Sequence, residues 1–431
     1  MRIKALFSLA TLGYAGLALA QATPAQNVVV EERKTETVTV VVKETPKPPA
    51  FVFELHGFTS LTFWLQDAAY GVGPGSPTNG QQALNVIKRY DTDKILLGAD
   101  VRQTRLNFSV RGPEILGGAT PKAVVEFDLF GGDSPGGFGD VSVFPRVRLA
   151  YAELKWAKTT LQFGQLNMLT AANAPQSLRG HAFPMAYTAG LVGWRQPGIW
   201  GTHTMGGDTK FEFAWSIQRA GWANSTLTDN FNMGVASGVP ALEARAKLIF
   251  GKAFDFWLAG HWQQVDRNGP GVSENKAAWS TLTTAMGVAG LKLDLGMLVV
   301  QGAGWYGKNA APLLGSMLQF APAAYRGDIF GYGAWGQIGL NFSKEFSIWY
   351  MYGIDHPLYS NIFAANLNIM RNQNGVAMVR YQTGGFGMGV EWLNTRTTWN
   401  AANAISNTPA QLALDNVLKG NQISASFNYY F

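Results

Sequence analysis

Five histidines are the first residues to test for chemistry: His56, His181, His203, His261 and His356. They fall in separate segments, and none has a carboxylate and a hydroxyl placed to suggest a nucleophile, a base and an orienting acid. Asp355-His356 is an adjacent pair, but Pro357 follows and the three read as a turn. No spacing of His, Asp and Glu resembles a metal site. Cysteine is absent, which excludes disulfides, thiolate ligands and c-type haem attachment. Gly331-x-Gly333-x-x-Gly336 fits a dinucleotide fingerprint by its letters. The fingerprint needs a strand, a tight turn and a helix, whereas these glycines share one strand pattern with no helix after it. No run of Lys or Arg could track phosphates. The formal charge of +6 drops to +4 once Arg2 and Lys4 are set aside, so nucleic acid is not an expected partner. The sequence therefore nominates no catalytic residue, no metal ligand and no cofactor.

Charge appears instead at alternate positions. Glu126 and Asp128 alternate with Val125, Phe127 and Leu129, and Glu243, Arg245 and Lys247 alternate with Leu242, Ala244, Ala246 and Leu248. From Lys210 to Gln218, Phe211, Phe213, Trp215 and Ile217 take one face and polar or small residues the other. Phe330, Tyr332, Ala334, Ile338, Leu340 and Phe342 likewise share a face opposite Trp335, Gln337, Asn341 and several glycines. Period two over short segments is the mark of strands.

Composition tells which kind of sheet. Mean hydropathy is near zero, and charged residues make up only 14%, yet aromatics reach 13% and glycines number 50. No later run approaches a membrane helix. A transmembrane barrel reconciles these values, because only alternate residues must face lipid. Residues 1–20 read as a signal peptide: Arg2 and Lys4, an apolar run from Ala5 to Leu17, then Ala18-Leu19-Ala20. Residues 21–49 read as a periplasmic extension, valine-rich at Val28 to Val30 and Val38 to Val42 and closed by Pro46, Pro48 and Pro49. Thr37 to Val40 resembles the short strand by which some transporters engage an energy-coupling protein, though a β-prone tail explains it as well. Residues 50–431 form the barrel.

The connections alternate in length. Short turns at Ala157-Lys158, Gly206 to Asp208, Gly251-Lys252, Ser343-Lys344 and Gly384-Gly385 alternate with long stretches. The long ones are Asp67 to Lys94, Leu169 to Thr188, Ala220 to Pro240, Gly307 to Arg326 and Thr397 to Gly420. Short periplasmic turns and long extracellular loops give an all-β, antiparallel barrel of about sixteen strands, or about eighteen if Gly190 to Thr204 divides differently. An open edge cannot face hydrocarbon, so Leu55 to Leu65 must pair with Asn421 to Phe431. In that last strand Ile423, Ala425, Phe427, Tyr429 and Phe431 are expected to face lipid and Gln422, Ser424, Ser426, Asn428 and Tyr430 the lumen. Trp64, Trp257, Trp349, Trp392 and Tyr429 are expected in an interfacial belt. Gly287, Ala289, Gly302, Gly304, Gly331 and Gly339 are expected to leave space in the lumen.

Several segments resemble a known family. Gln103 to Phe108, Val125 to Gly132, Arg148 to Trp156 with Phe163-Gly164-Gln165, and the terminal Tyr429-Tyr430-Phe431 are similar to trimeric outer-membrane diffusion porins. The DcaP-type porins, which also carry an extension before the barrel, are the nearest subgroup. Their extension is a coiled coil, and the valine-rich stretch here lacks heptads. The resemblance implies a Gram-negative outer membrane, contact with its lipid and lipopolysaccharide, a homotrimer and a third loop folded inward. It also implies a basic ladder at the constriction, falling on Arg105, Arg148 and Arg195, with Arg146 on the face of Arg148. General porins place carboxylates on the inward loop, but Leu169 to Trp194 holds no Asp or Glu and offers Asn173, Gln176, Ser177, Arg179 and His181. Facing charges of one sign concentrate counter-ions, so small anions such as carboxylates are the expected solutes.

Two alternatives stay open at this stage. The ladder arginines could pair with Glu126 and Asp128 and hold a loop in place. The whole could also be a structural or adhesive barrel with a blocked lumen.

Overall fold

The computed structural model describes residues 51–70, 86–87, 95–131, 133–135, 141–221, 233–266, 280–322, 325–400 and 417–431. The expected signal peptide and extension lie outside them. Sixteen barrel strands run through the described residues. The first are β1 (Val52–Gln66), β2 in two pieces (Leu96–Asp100 and Arg105–Arg111), β3 (Thr120–Asp128), β4 (Arg146–Lys155) and β5 (Thr159–Asn167). Then come β6 (Arg195–Gly206), β7 (Thr209–Gln218), β8 (Ala241–Phe250), β9 (Phe254–Asp266), β10 (Thr281–Asp294) and β11 (Leu298–Lys308). The last are β12 (Phe330–Asn341), β13 (Phe346–Pro357), β14 (Ile369–Thr383), β15 (Phe386–Trp399) and β16 (Val417–Tyr430). Each pairs antiparallel with its neighbours, and β16 returns to β1 from Phe58 opposite Tyr430 to Gln66 opposite Gln422. Main-chain bonds between Gly57 and Phe431, at 3.0 and 3.1 Å, finish the seam. Closure leaves no edge to solvate.

Alternation sets the faces as expected. On β7, Phe213, Trp215 and Ile217 stand exposed on the outer wall while Ala214, Ser216 and Gln218 are buried inside. On β16, Ile423, Phe427 and Tyr429 point out and Gln422, Ser424, Ser426 and Asn428 point in. Gly331, Gly333 and Gly336 lie inside the single strand β12, which a second strand follows.

The tryptophans depart from the expected belt. Trp392 and Tyr429 are exposed outside, but Trp64, Trp257 and Trp349 are buried and face inward. Four inward rings lie over the glycine directly opposite: Trp64 on Gly98, Trp257 on Gly290, Trp305 on Gly333 and Trp349 on Gly339. A bare glycine gives the indole a flat bed, and the indole shields the backbone that glycine exposes. Gly339 therefore receives a ring and does not open the lumen. Gly287, Ala289, Gly302 and Gly304 sit on the outer wall, not in the lumen, because their strand neighbours Val288, Ala303 and Trp305 are the inward set.

The inside is filled by loops. Residues 168–194, the third long connection, fold inward, and so do residues 309–322, an inward loop with no sequence expectation. Gly193 donates to the carbonyl of Leu313 at 2.8 Å, joining the two. Met185, Ala186, Tyr187 and Leu191 pack on Trp335, Met351, Val376 and Leu393 of the wall. Met168 and Val192 join Leu313, Trp257 and Trp305 in a second cluster. Gly353 makes room for this packing, since a Cβ there would lie 2.1 Å from the Ala189 carbonyl oxygen. Asp355 and His356, expected in a turn, instead end β13. There the buried Asp355 carboxylate accepts the Ser316 amide of the second loop at 3.1 Å.

Candidate functional site

The charged cluster is built on β2, β3 and β4. Cross-strand pairing sets Arg105, Asp128 and Arg146 in one row. Like-facing residues in adjacent strands are about 5 Å apart, so a carboxylate between two guanidiniums is within reach of both. The row holds an irregularity: Glu126 opposes Leu149 and Phe127 opposes Val147, which leaves Arg148 as the extra residue of a bulge. A bulge re-aims the side chain it carries. Arg148 thereby reaches Glu126 at 2.8 Å, Asp128 at 2.8 Å and the carbonyl of Ala182 on the inward loop at 3.3 Å.

Arg146 grips Asp128 with two donors, at 2.9 and 2.6 Å. Arg105 lies 3.7 Å from Glu126 and donates to the His181 carbonyl at 2.6 Å. Arg195 opens β6 and lies over the Trp194 ring, 4.0 Å from its centroid, with no described carboxylate paired to it. Among the described residues three guanidiniums thus share two carboxylates with a fourth beside them, a surplus of two positive charges. The Asp128 side chain is wholly buried, while those of Arg105 and Arg146 keep 20% and 21% of their surface exposed. Glu126 keeps 12%, so more guanidinium than carboxylate remains accessible.

An aromatic shelf lies beneath the arginines. Phe183 stacks on Trp194 with centroids 5.2 Å apart, and Arg146 sits 4.6 Å over Phe183. Phe130 lies under both Arg102 and Arg146. Sequence reading singled out neither this shelf nor Arg102, which binds Asp100 through its side chain and its amide. The cluster of Phe130, Phe183 and Trp194 around basic strands was visible only as separate letters, because all three rings ride on connections between strands.

The inward loop carries no acid of its own, and the wall supplies the acids that hold it. Glu243 of β8 accepts the Leu169 amide at 2.6 Å, the Thr170 hydroxyl at 2.8 Å and the Gln218 amide group at 2.7 Å, with His261 at 3.1 Å. Glu391 of β15, absent from the sequence expectations, accepts from Ser177, Leu178 and Arg179 at 3.1 Å each. Arg179 is buried beside that carboxylate, away from the four-arginine cluster, and burial pushes its guanidinium below the usual range while Glu391 opposes the shift. Gln103 accepts the Ala182 amide at 2.7 Å. His181 rests on Phe58, and burial with nearby Arg105 and Arg148 pushes its imidazole down to about 3, so it stays neutral. Arg245 pairs with Glu212 at 2.8 Å and Lys247 with Asp255 at 2.9 Å on the wall of β7 to β9.

The structure therefore brings Arg105, Arg146, Arg148, Glu126 and Asp128 into one cluster with Arg195 beside it. Glu243, Arg245, Lys247 and Arg179 stand elsewhere. Among the described residues no group of three His, Asp or Glu side chains could hold a metal.

No family model matches the chain, and no curated protein matches its sequence. Solved structures match its shape. The outer-membrane channel DcaP of Acinetobacter baumannii is 14% identical with a TM-score of 0.65, over 89% of this chain and 99% of that one. An anion-selective porin from Comamonas acidovorans is 11% identical with a TM-score of 0.54, over 88% and 100%. OmpF of Salmonella typhi is 12% identical with a TM-score of 0.50, over 88% and 97%. This chain has the porin-type fold, a closed antiparallel barrel of sixteen strands.

Proposed function

We propose that this chain is a passive outer-membrane channel for small hydrophilic solutes and that it prefers anions, carboxylates and dicarboxylates among them. One observation carries the reading: among the described residues Arg105, Arg146 and Arg148 share two carboxylates and Arg195 stands beside them with neither, next to an inward loop that holds no acid. The pairing of Arg146 and Arg148 with Asp128 reduces the basic field without cancelling it. A carboxylate matches the paired donors of a guanidinium, and weak binding at successive arginines lets a dicarboxylate move on. The chain works as a homotrimer in the outer membrane, after removal of residues 1–20 and with residues 21–49 in the periplasm.

The test is a reversal potential across a planar bilayer in a salt gradient, repeated with succinate in the bath. An anion-selective sign and a succinate-dependent current block support the reading. A cation-selective sign overturns the anion preference. A second reading, a structural barrel with a blocked lumen, draws on the two loops packed inside against Trp305, Trp335 and Met351. Negligible conductance from correctly folded protein would favour it.

A further inference from the structure

Below the inward loop, the lumen holds a cation outside the four-arginine cluster. Arg380 faces inward on β14, one alternate position nearer the short turn at Gly384-Gly385 than Met378, on which Leu178 of the loop packs together with Trp349. It therefore lies on the turn side of the loop. Its Nε donates to the Ser347 hydroxyl at 3.2 Å, and its guanidinium stands over the Trp349 ring, 5.5 Å from the centroid. Ser347 also accepts the Trp349 indole N–H at 2.9 Å, so one buried hydroxyl fixes both groups. The guanidinium is half-buried, no described carboxylate pairs with it, and its two terminal nitrogens bond to no described residue. A cation held by its inner nitrogen, with the outer pair free, is placed to receive an anion.

The wall beside it is bare. Arg380 and Gln382 oppose Gly389 and Gly387 of β15, and beyond these Ser426 and Asn428 face inward on β16. Within 4 Å, a Cβ added at Gly387 would meet only the Tyr430 ring, at 3.4 Å, and Gln382, at 3.8 Å. The floor between those side chains is therefore backbone alone. Leu178 closes it on the loop side, since a Cβ at Gly389 would lie 2.6 Å from the Leu178 Cδ1. Tyr430 stands at the far side, and its hydroxyl meets Asn428 and His181 at 3.4 Å each, contacts too long to hold it. Register sets Tyr430, Phe58 and Arg105 in one row, and Tyr430 lies within electrostatic reach of both Arg380 and Arg105. Two acids of the neighbouring elements serve other groups: Glu391 holds the loop, and Glu345 accepts the Ser343 hydroxyl at 2.9 Å.

We propose that Arg380 and Tyr430 form a second carboxylate site, separate from the arginine cluster and on the turn side of the inward loop. The guanidinium offers its two outer donors and the tyrosine O–H a third, over a glycine floor that leaves room for the carbon chain between two carboxylates. A dicarboxylate leaving Arg105 meets Tyr430 and then Arg380, so its two ends can engage the two sites in turn. Arg380 is only half-buried, and a partly solvated contact stays weak enough for the solute to leave. The site rests on the anion-channel reading and adds a sidedness that the cluster alone does not give. A dicarboxylate entering from the turn end reaches Arg380 before any arginine of the cluster.

The experiment records single insertions of the full-length protein in planar bilayers, with succinate added to one chamber at a time under the voltage that drives anions from it. Arg380→Gln removes a charge-assisted contact and should raise the half-blocking concentration about tenfold from the chamber facing the short turns, and much less from the other. Tyr430→Phe keeps the ring and removes the donor, and should raise it about threefold from the same chamber. The assignment is overturned if Arg380→Gln leaves block from the turn chamber unchanged, or weakens block equally from both chambers. Parent channels that conduct yet are blocked from neither chamber overturn the anion reading and the site together. Block that replacing Arg105, Arg148 and Arg195 with Gln removes, and that Arg380→Gln does not change, overturns the site alone.

Discussion

Replacing Arg105, Arg148 and Arg195 together with Gln should reverse the sign of ion preference. Among the described residues the wild-type cluster holds a surplus of two positive charges. The triple variant leaves Arg146 facing Glu126 and Asp128, a surplus of one negative charge. At water's dielectric constant, a unit charge roughly 6 Å from a passing ion is worth about 0.7 kcal/mol. Two surplus charges then favour an anion by about 1.4 kcal/mol, close to tenfold, and removing three positive charges shifts that balance by about 2 kcal/mol, roughly thirtyfold. Gln keeps a polar side chain with an amide donor at each position, though a shorter one, so the loop contacts at Ala182 and His181 survive in part. The assay is the reversal potential in a salt gradient at about 0.1 M, where the screening length is about 10 Å and the field reaches the passage. At about 1 M that length falls to about 3 Å and the two proteins should converge. Asp128→Asn is the opposite perturbation: it raises the surplus to three and should strengthen anion preference about threefold. If the triple variant keeps the wild-type reversal potential at low salt, the arginines serve only to hold Glu126, Asp128 and the loop, and the reasoning is refuted.

Further expectations address the scaffold. Deleting Asn428 to Phe431 removes the pairs from Phe58 to Ser60 and the Gly57–Phe431 bonds, so heat-modifiable, protease-resistant barrel should disappear from outer membranes; normal amounts would contradict the closure argument. Glu243→Ala strands the Leu169 amide, Thr170, Gln218 and His261 at about 1–3 kcal/mol for each buried group left unpaired. Single-channel records should then show new open-state noise, and quiet traces would mean that Glu391 and the Gly193–Leu313 contact suffice to hold the loop. His181 titrates near 3 in the fold against 6.5 when free, so between those values acid protonates only the unfolded chain. Its contribution to stability is therefore lost as pH falls below 6.5, while ion selectivity, compared with His181→Gln, should not differ between pH 8 and 5. A chain beginning at Pro49 should still run as a trimer on native gels, and a monomer there would assign assembly to residues 21–49.

Sequence by itself determined the strands, the closure and the faces of the strands with the plainest alternation. Period two is local, and lipid on one side punishes any slip of register, so β7, β12 and β16 could be read residue by residue. The seam of β1 with β16 followed from the impossibility of a bare edge in hydrocarbon. The acid-free inward loop was also plain from its letters. Other features needed the fold. The inward turn of Trp64, Trp257 and Trp349 was hidden because this lumen is packed by loops and so accepts indoles, which alternation alone cannot distinguish from a lipid-facing set. The second inward loop, at 309–322, is held by Asp355, some 40 positions on, and nothing local marks that contact. The state of the arginines was likewise a tertiary matter. A one-residue bulge at Arg148 decides which guanidinium meets which carboxylate, and sequence spacing shows only that they share a face.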